Sequence, residues 1–372
     1  MKTRYRFLAM LLATAAMLAM FAGCGSSSSS SSDTADEGST SESTKSTSST
    51  SSSDEKLELV VVDWGGTNTD ARIAANFEAF EEAYNCEITV VTPSDYAKLQ
   101  SMVDTGTVEW DVMNVDAYWG VLAGNEGYLT AVDYDVVTAN LNPEATSEYV
   151  CSAETYASVI AWNTDKYTEE TAPSTWEEFW DTETYPGKRA MWDYPVTVLE
   201  AALMADGVAM EDLYPLDLDR AFAKLDEIKD DIIWWSAGAE PAQMLASGEA
   251  DLALAWSGRI ATAADDGSPV DFTYNEGIII SAGWVIPKGA PHEELAQQFL
   301  AFISEPDMML AFSSEIPYGT TNLDAVEMMD EEMKEELGQT DEQLENELYL
   351  DQDYWAEYLT EVEEAFDAWM LE

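Results

Sequence analysis

The chain has 372 residues, with 73 Asp and Glu against 16 Lys and Arg and a formal net charge of −57. Phosphate contacts need clustered Lys and Arg, so this balance argues against nucleic-acid binding. It suits either a solvated acidic surface or the attraction of a cationic solute.

The first residues, MKTRYRFLAMLLATAAMLAMFAGC, set Lys2, Arg4 and Arg6 ahead of an apolar run that ends in small residues. This is the pattern of a secretory signal and not of a spanning helix. Cys24, directly after Phe-Ala-Gly, resembles the cleavage box of bacterial lipoproteins, in which the cysteine is acylated; a signal peptide over residues 1–24 is expected. Residues 25–56 are dominated by Ser, Thr, Asp and Glu, too polar to offset the entropy of ordering, and read as a flexible tether. No second apolar stretch approaches a membrane-spanning length, so lipid is the only expected anchor, on the outer face of the cell membrane. Cys86 and Cys151 fit an exported protein with at most one disulfide; whether they pair is open at this stage.

From Leu57 onward the chain is too long for one compact core and long enough for two. Leu59 to Asp63 is an apolar strand run, followed by Trp64, Gly65, Gly66 and Thr67 in a loop that opens toward the ligand side of a sheet. Ala71 to Tyr84 carries Ile73, Phe77, Phe80 and Tyr84 at helical spacing, and Cys86 to Val91 reads as a second strand. Val108 to Val115 predicts a third, with Asp116 and Tyr118 just past its end; Asp116 also suits a helix N-cap. Tyr156 to Asn163 reads as a strand that crosses into a second lobe. Thr175 is placed to cap a helix packed through Trp176, Phe179 and Trp180. Arg189 to Asp193 predicts a strand ending in Asp193 and Tyr194, and Val198 to Met204 a helix.

The stretch Asp231 to Ile260 is the centre of the pattern. Ile232 to Trp235 reads as a strand, Pro241 as the first turn of a helix that stops at Gly248, and Leu252 to Ala255 as a strand buried on both faces. Ligands of open α/β sheets sit outside the carboxyl ends of such strands, which places Trp235, Trp256 and Arg259 where a ligand would be met. Asp271 to Ile280 supplies further strand, Ser281 to Gly283 looks like a return hinge, and Trp284 begins the route back to the first lobe. His292, the only histidine, reads as a surface residue at the start of an amphipathic helix that runs to Ile303. In the acidic tail, Met328, Met329, Tyr354, Trp355, Phe366 and Trp369 read as core-facing anchors.

GEADLALAWSGR, LYPLDLDRAFAKLDEIK and PSTWEEFWD with YPGKRA resemble the spermidine/putrescine-binding class of ABC importer receptors, from about Leu57 to the Asn322 region. The resemblance implies an α/β, two-lobed periplasmic-binding-protein type II fold with a hinge and an interlobe ligand cleft. It implies lobe 1 over 57–160, completed by about 283–325, and lobe 2 over 161–282 with the C-terminal helices 326–372. Tyr118 and Trp256 fall on the family's cleft tyrosine and tryptophan, and Ile316 to Asn322 on its late cleft-side loop. Two acidic positions that pair ammonium groups in polyamine binders fall on Tyr194 and Thr197, and a further one near Gly258 and Arg259.

The resulting expectation is a monomeric, lipid-anchored receptor without cofactor or metal that captures a polyamine-like or amino-acid-like amine and serves an ABC permease. Aromatic walls from Trp64, Tyr118, Trp235, Trp256 and Trp284 would attract an ammonium, with Asp116 or Asp193 as counter-charge and Tyr194 as a further ligand contact. Arg259 would either grip a ligand carboxylate or pair with a neighbouring acid. No Ser/His/Asp set, Cys/His metal spacing or phosphate loop supports an enzyme. The alternatives are a secreted hydrolase acting on carbohydrate and a ferric-ion receptor using Tyr118 and Tyr194.

Overall fold

A computed structural model describes residues 56–371; the expected signal peptide, Cys24 and nearly all of the tether lie outside the described residues. The strands are β1 (Leu57–Val62), β2 (Cys86–Val91), β3 (Val112–Asp116), β4 (Leu129–Thr130), β5 (Cys151–Asn163), β6 (Arg189–Trp192), β7 (Ile232–Trp235), β8 (Leu252–Trp256), β9 (Val270–Pro287), β10 (Gly319–Thr320) and β11 (Leu348–Tyr349). The main sheet runs β2-β1-β3-β9-β5-β8-β6-β7. Its two flanks are parallel, β2-β1-β3 on one side and β8-β6-β7 on the other. Between them β5 and β9 pair antiparallel along almost their whole length, from Cys151 with Trp284 to Asn163 with Val270.

Parallel strands covered on both faces need near-continuous apolar sequence, and Leu252 to Ala255 is fully buried accordingly. The flanking core gathers Leu59, Val61, Phe77 and Phe80 under Trp284 and Phe299. Thr175 caps its helix as expected, accepting from the Glu178 N–H, and Trp176 and Phe179 are buried behind it. Gly248, at φ 75°, ends the helix Glu240–Ser247 that contains Pro241 in its first turn.

Several elements depart from the sequence pattern. The first helical region starts at Gly66, ahead of Ala71, and contains a π-helical turn over Ile73–Phe77 between α-helical segments Gly66–Arg72 and Glu78–Tyr84. The early start follows from Gly65 and Gly66, whose positive φ values turn the chain directly out of β1. Ser281 to Gly283, read as a return hinge, lie within β9, which pairs there with β3 and β5. Gly283 serves close strand approach there, since a Cβ would lie 2.4 Å from the Cys151 carbonyl oxygen. His292 is bound to a buried group: its Nδ1 lies 3.1 Å from the Asp111 carboxylate. Met328 is exposed, whereas Met329, Trp355, Phe366 and Trp369 are buried. Cys86 and Cys151 are free and buried, so the question of a disulfide is answered. No described helix is long and apolar enough to cross a membrane.

The C-terminal helix, Gln352–Met370, buries one stripe through Trp355, Leu359, Val362, Phe366 and Trp369. Near its start the Trp355 indole donates to Glu200 at 2.7 Å, and Tyr214 donates to the same oxygen at 2.8 Å. Glu200 is fully buried, and burial raises its carboxyl to about 7 against these two donors. A raised carboxyl pKa means the native state holds the proton more tightly than the unfolded chain. The stability Glu200 contributes is therefore present below about pH 4.5 and lost as pH rises to 7. Glu200→Gln removes the ionisation while keeping an acceptor. Denaturant unfolding is expected to show the variant gaining on wild type by about 2–4 kcal/mol between pH 4.5 and pH 8; a pH-independent difference would contradict this.

Candidate functional site

The carboxyl ends of strands from both parallel flanks converge on one cavity of about 490 Å³. Trp64 follows β1, Asp116 ends β3, Trp192 ends β6 with Tyr194 just beyond, Ser236 follows β7 and Trp256 ends β8. The crossing strands add Glu154, Tyr156 and Ala282. This is where an open α/β sheet presents residues to a ligand.

Asp116 is the centre of one wall. It occupies the N-cap position of the helix Ala117–Asn125 but makes no capping bond. Its carboxylate instead accepts from three phenols: Tyr156 at 2.9 Å, Tyr96 at 3.4 Å and Tyr118 at 3.5 Å. Burial pushes its carboxyl up to about 6, although the phenol donors favour the charged form. Tyr96 is held by stacking on Trp119 at 3.9 Å and by the edge of Trp64 at 6.1 Å. Trp64 is anchored in turn by its indole N–H, which donates to Asn114 at 2.7 Å.

Trp256, Arg259 and Tyr318 line the same cavity. The Trp256 ring meets Tyr156, Trp192 and Trp235 edge-on at 5.3–5.8 Å. Glycine is required beneath both aromatic groups: a Cβ on Gly238 would lie 2.2 Å from the Trp256 ring, and one on Gly258 would lie 2.2 Å from the Tyr318 ring. Arg259 stands in the first turn of the helix Ser257–Asp265, whose N-terminus has no side-chain cap. Among the described residues it has no ion-pair partner, and its buried Nε has no hydrogen-bond partner. The Trp256 indole N–H is likewise buried and unpartnered. By contrast Arg72 is spent on Asp63, at 3.3 Å, and on Glu154, whose other carboxylate oxygen is unpartnered.

The structure thus brings Trp64, Asp116, Tyr118, Tyr194, Trp256 and Arg259 together, and leaves other expected residues outside the cavity wall. Gly65 makes the turn, donating its N–H to Thr69 at 2.8 Å, and Thr67 is exposed. Asp193 points to solvent and accepts from Ser236 at 2.8 Å. Trp235 is buried behind Trp192, stacked at 5.7 Å, with its N–H on the Leu254 carbonyl. Trp284 belongs to the core, edge-on to Phe299 at 5.2 Å and beneath the Arg72 guanidinium. Thr197, aligned with an acidic position of polyamine binders, is also buried and outside the lining, and it has a positive φ of 67°.

The lining residues that sequence reasoning missed are Asn68, Tyr96, Glu154, Tyr156, Trp192, Ser236 and Ala282, while Tyr318 comes from the loop Ile316 to Asn322 expected on the cleft side. Glu154 carried a signal, as the one charged position within the strand Cys151–Asn163. Tyr96 carried none, since it reaches Asp116 from the helix after β2. No cluster of His, Cys, Asp and Glu among the described residues could hold a metal ion.

The pattern of the bacterial extracellular solute-binding protein family matches residues 75–344. The gamma-aminobutyric acid-binding protein of Pseudomonas aeruginosa is 33% identical over 84% of this chain and 90% of its own length. The spermidine/putrescine-binding periplasmic protein of Escherichia coli is 24% identical over 64% of this chain and 70% of its own length. A solved structure described as the Atu4243-GABA receptor is 36% identical, with a TM-score of 0.78 and coverage of 84% of this chain and 97% of that one. The chain belongs to the bacterial extracellular solute-binding protein family, has the two-lobed type II fold, and is a binding protein and not an enzyme.

Proposed function

We propose that the chain captures a zwitterionic amino carboxylate of the 4-aminobutyrate type and presents it to an ABC permease, as an exported receptor anchored through Cys24. The observation that carries this reading is one aromatic cavity lined both by a half-buried carboxylate, Asp116, and by a guanidinium without an ion-pair partner among the described residues, Arg259. An ammonium has three donors, and Asp116 with its phenol oxygens offers acceptors and aromatic faces, each face worth about 0.5–2 kcal/mol. A carboxylate matches the Arg259 fork, the free Trp256 N–H and the uncapped helix N-terminus. The gamma-aminobutyric acid-binding relative and receptor support the same class.

Spermidine carries ammonium groups only, and Arg259 would repel one of them by about 1–4 kcal/mol at about 4 Å, depending on the water that remains. Calorimetry is expected to give tighter binding of 4-aminobutyrate than of spermidine. Arg259→Ala should weaken 4-aminobutyrate by about 2–5 kcal/mol. Tighter spermidine binding, with the variant unchanged, would return the protein to the polyamine class.

The state of Asp116 sets a pH dependence. Its carboxyl titrates at about 6, and only the ionised form pairs with an ammonium. Below that pH the ligand must displace a proton, so affinity for 4-aminobutyrate is expected to fall about tenfold per pH unit. Affinity that stays flat from pH 7 to pH 4.5 would exclude Asp116 as the ammonium partner.

A further inference from the structure

Tyr194 is the lining phenol that hands its proton to a residue outside the cavity. Tyr96, Tyr118 and Tyr156 donate to Asp116, whereas the Tyr194 hydroxyl donates to Glu363 on the C-terminal helix. Glu363 is half-buried and does not line the cavity. Its backbone is fixed from both sides. Trp355 is tied to Glu200 near the helix start, and near the end the Trp369 indole donates to Asp226 at 2.9 Å. Between these anchors Val362 and Phe366 are buried, with Phe366 edge-on to Trp234 at 6.0 Å. The carboxylate is therefore delivered to Tyr194 by a helix that cannot easily shift.

The consequence follows from counting protons. A phenol has one donor and two lone pairs. With its proton committed to Glu363, the Tyr194 oxygen can only accept. Asp116 enforces the same polarity on Tyr96, Tyr118 and Tyr156, so these four of the five lining phenols offer oxygen acceptors to an amine. Without Glu363 the Tyr194 hydroxyl would be free to turn and donate, and it would serve a ligand oxygen as well as an ammonium.

Building on the amine reading of the cavity, we propose that Glu363 is a positioning residue of the ammonium site, which acts through Tyr194 to make this wall select cations. The negative charge of Glu363, one phenol away from the ligand, works in the same direction.

The test compares 4-aminobutyrate, n-butylamine and butanoate by calorimetry on the full chain, for wild type, Glu363→Ala, Glu363→Gln, Tyr194→Phe and the Tyr194→Phe/Glu363→Ala double variant. Glu363→Ala is expected to weaken both amines about tenfold, as loss of a charge-assisted hydrogen bond would, and to change butanoate less than about twofold. Glu363→Gln keeps the size and an acceptor and should recover part of the loss. In the Tyr194→Phe background Glu363→Ala should add nothing. Equal loss for butanoate and the amines, additive losses, or no loss would each overturn the proposal. A wild type that binds n-butylamine but not 4-aminobutyrate would sink the zwitterion reading alone. Glu363 would then be judged on n-butylamine, and a wild type that binds neither amine overturns both.

Discussion

The antiparallel pairing of β5 with β9 is the constraint on which the rest of the structure depends. These two strands join the parallel flank β2-β1-β3 to the parallel flank β8-β6-β7, and their register sets how the strand ends of the two flanks face each other. Because β3 pairs with the late part of β9 and β8 with the late part of β5, Asp116 and Trp256 end beside the same cavity. Gly283 lets the backbones approach at that crossing, and a side chain there would meet the Cys151 carbonyl. The crossing strands also contribute Glu154 and Tyr156 directly, so the element that joins the flanks is part of the cavity wall.

The charges of the cavity are unequal in how they are satisfied. Arg72, Asp63 and Glu154 form a buried network that holds the helix after β1 against β5. Asp116 and Arg259 have no such charged partner within hydrogen-bond reach, and Asp116 responds by holding its proton to about 6. A charge taken out of water without a partner is costly. In the proposed function the ligand supplies both missing charges at once, which explains why a binding protein would retain them. In that reading the surrounding aromatic groups would limit water and so strengthen both pairs. The surface acidity, by contrast, is screened at physiological salt and falls off within about 8 Å.

Much of this was legible in the sequence because strand ends carry the cavity. Apolar runs followed by Trp64, Asp116 with Tyr118, Tyr194, and Trp256 with Arg259 mark four such ends, and the structure gathers these residues at one cavity. What sequence could not decide was which neighbouring tryptophan faces inward. Trp192 and Trp235 are register partners on adjacent parallel strands, and only their stacking order puts Trp192 at the cavity and Trp235 behind it. Trp284 and Thr197 look like site residues at strand and helix ends, yet packing buries both elsewhere. Glu363 could not be found at all, because its link to Tyr194 spans 169 residues and depends on where the C-terminal helix docks.

The most direct test of the central claim is a crystal structure of the protein with 4-aminobutyrate. The account places the ligand nitrogen about 2.7–3.2 Å from the Asp116 carboxylate among the phenol oxygens, with the carboxylate on Arg259 and the Trp256 indole. A ligand bound in the reverse sense, or seated away from both residues, would contradict it.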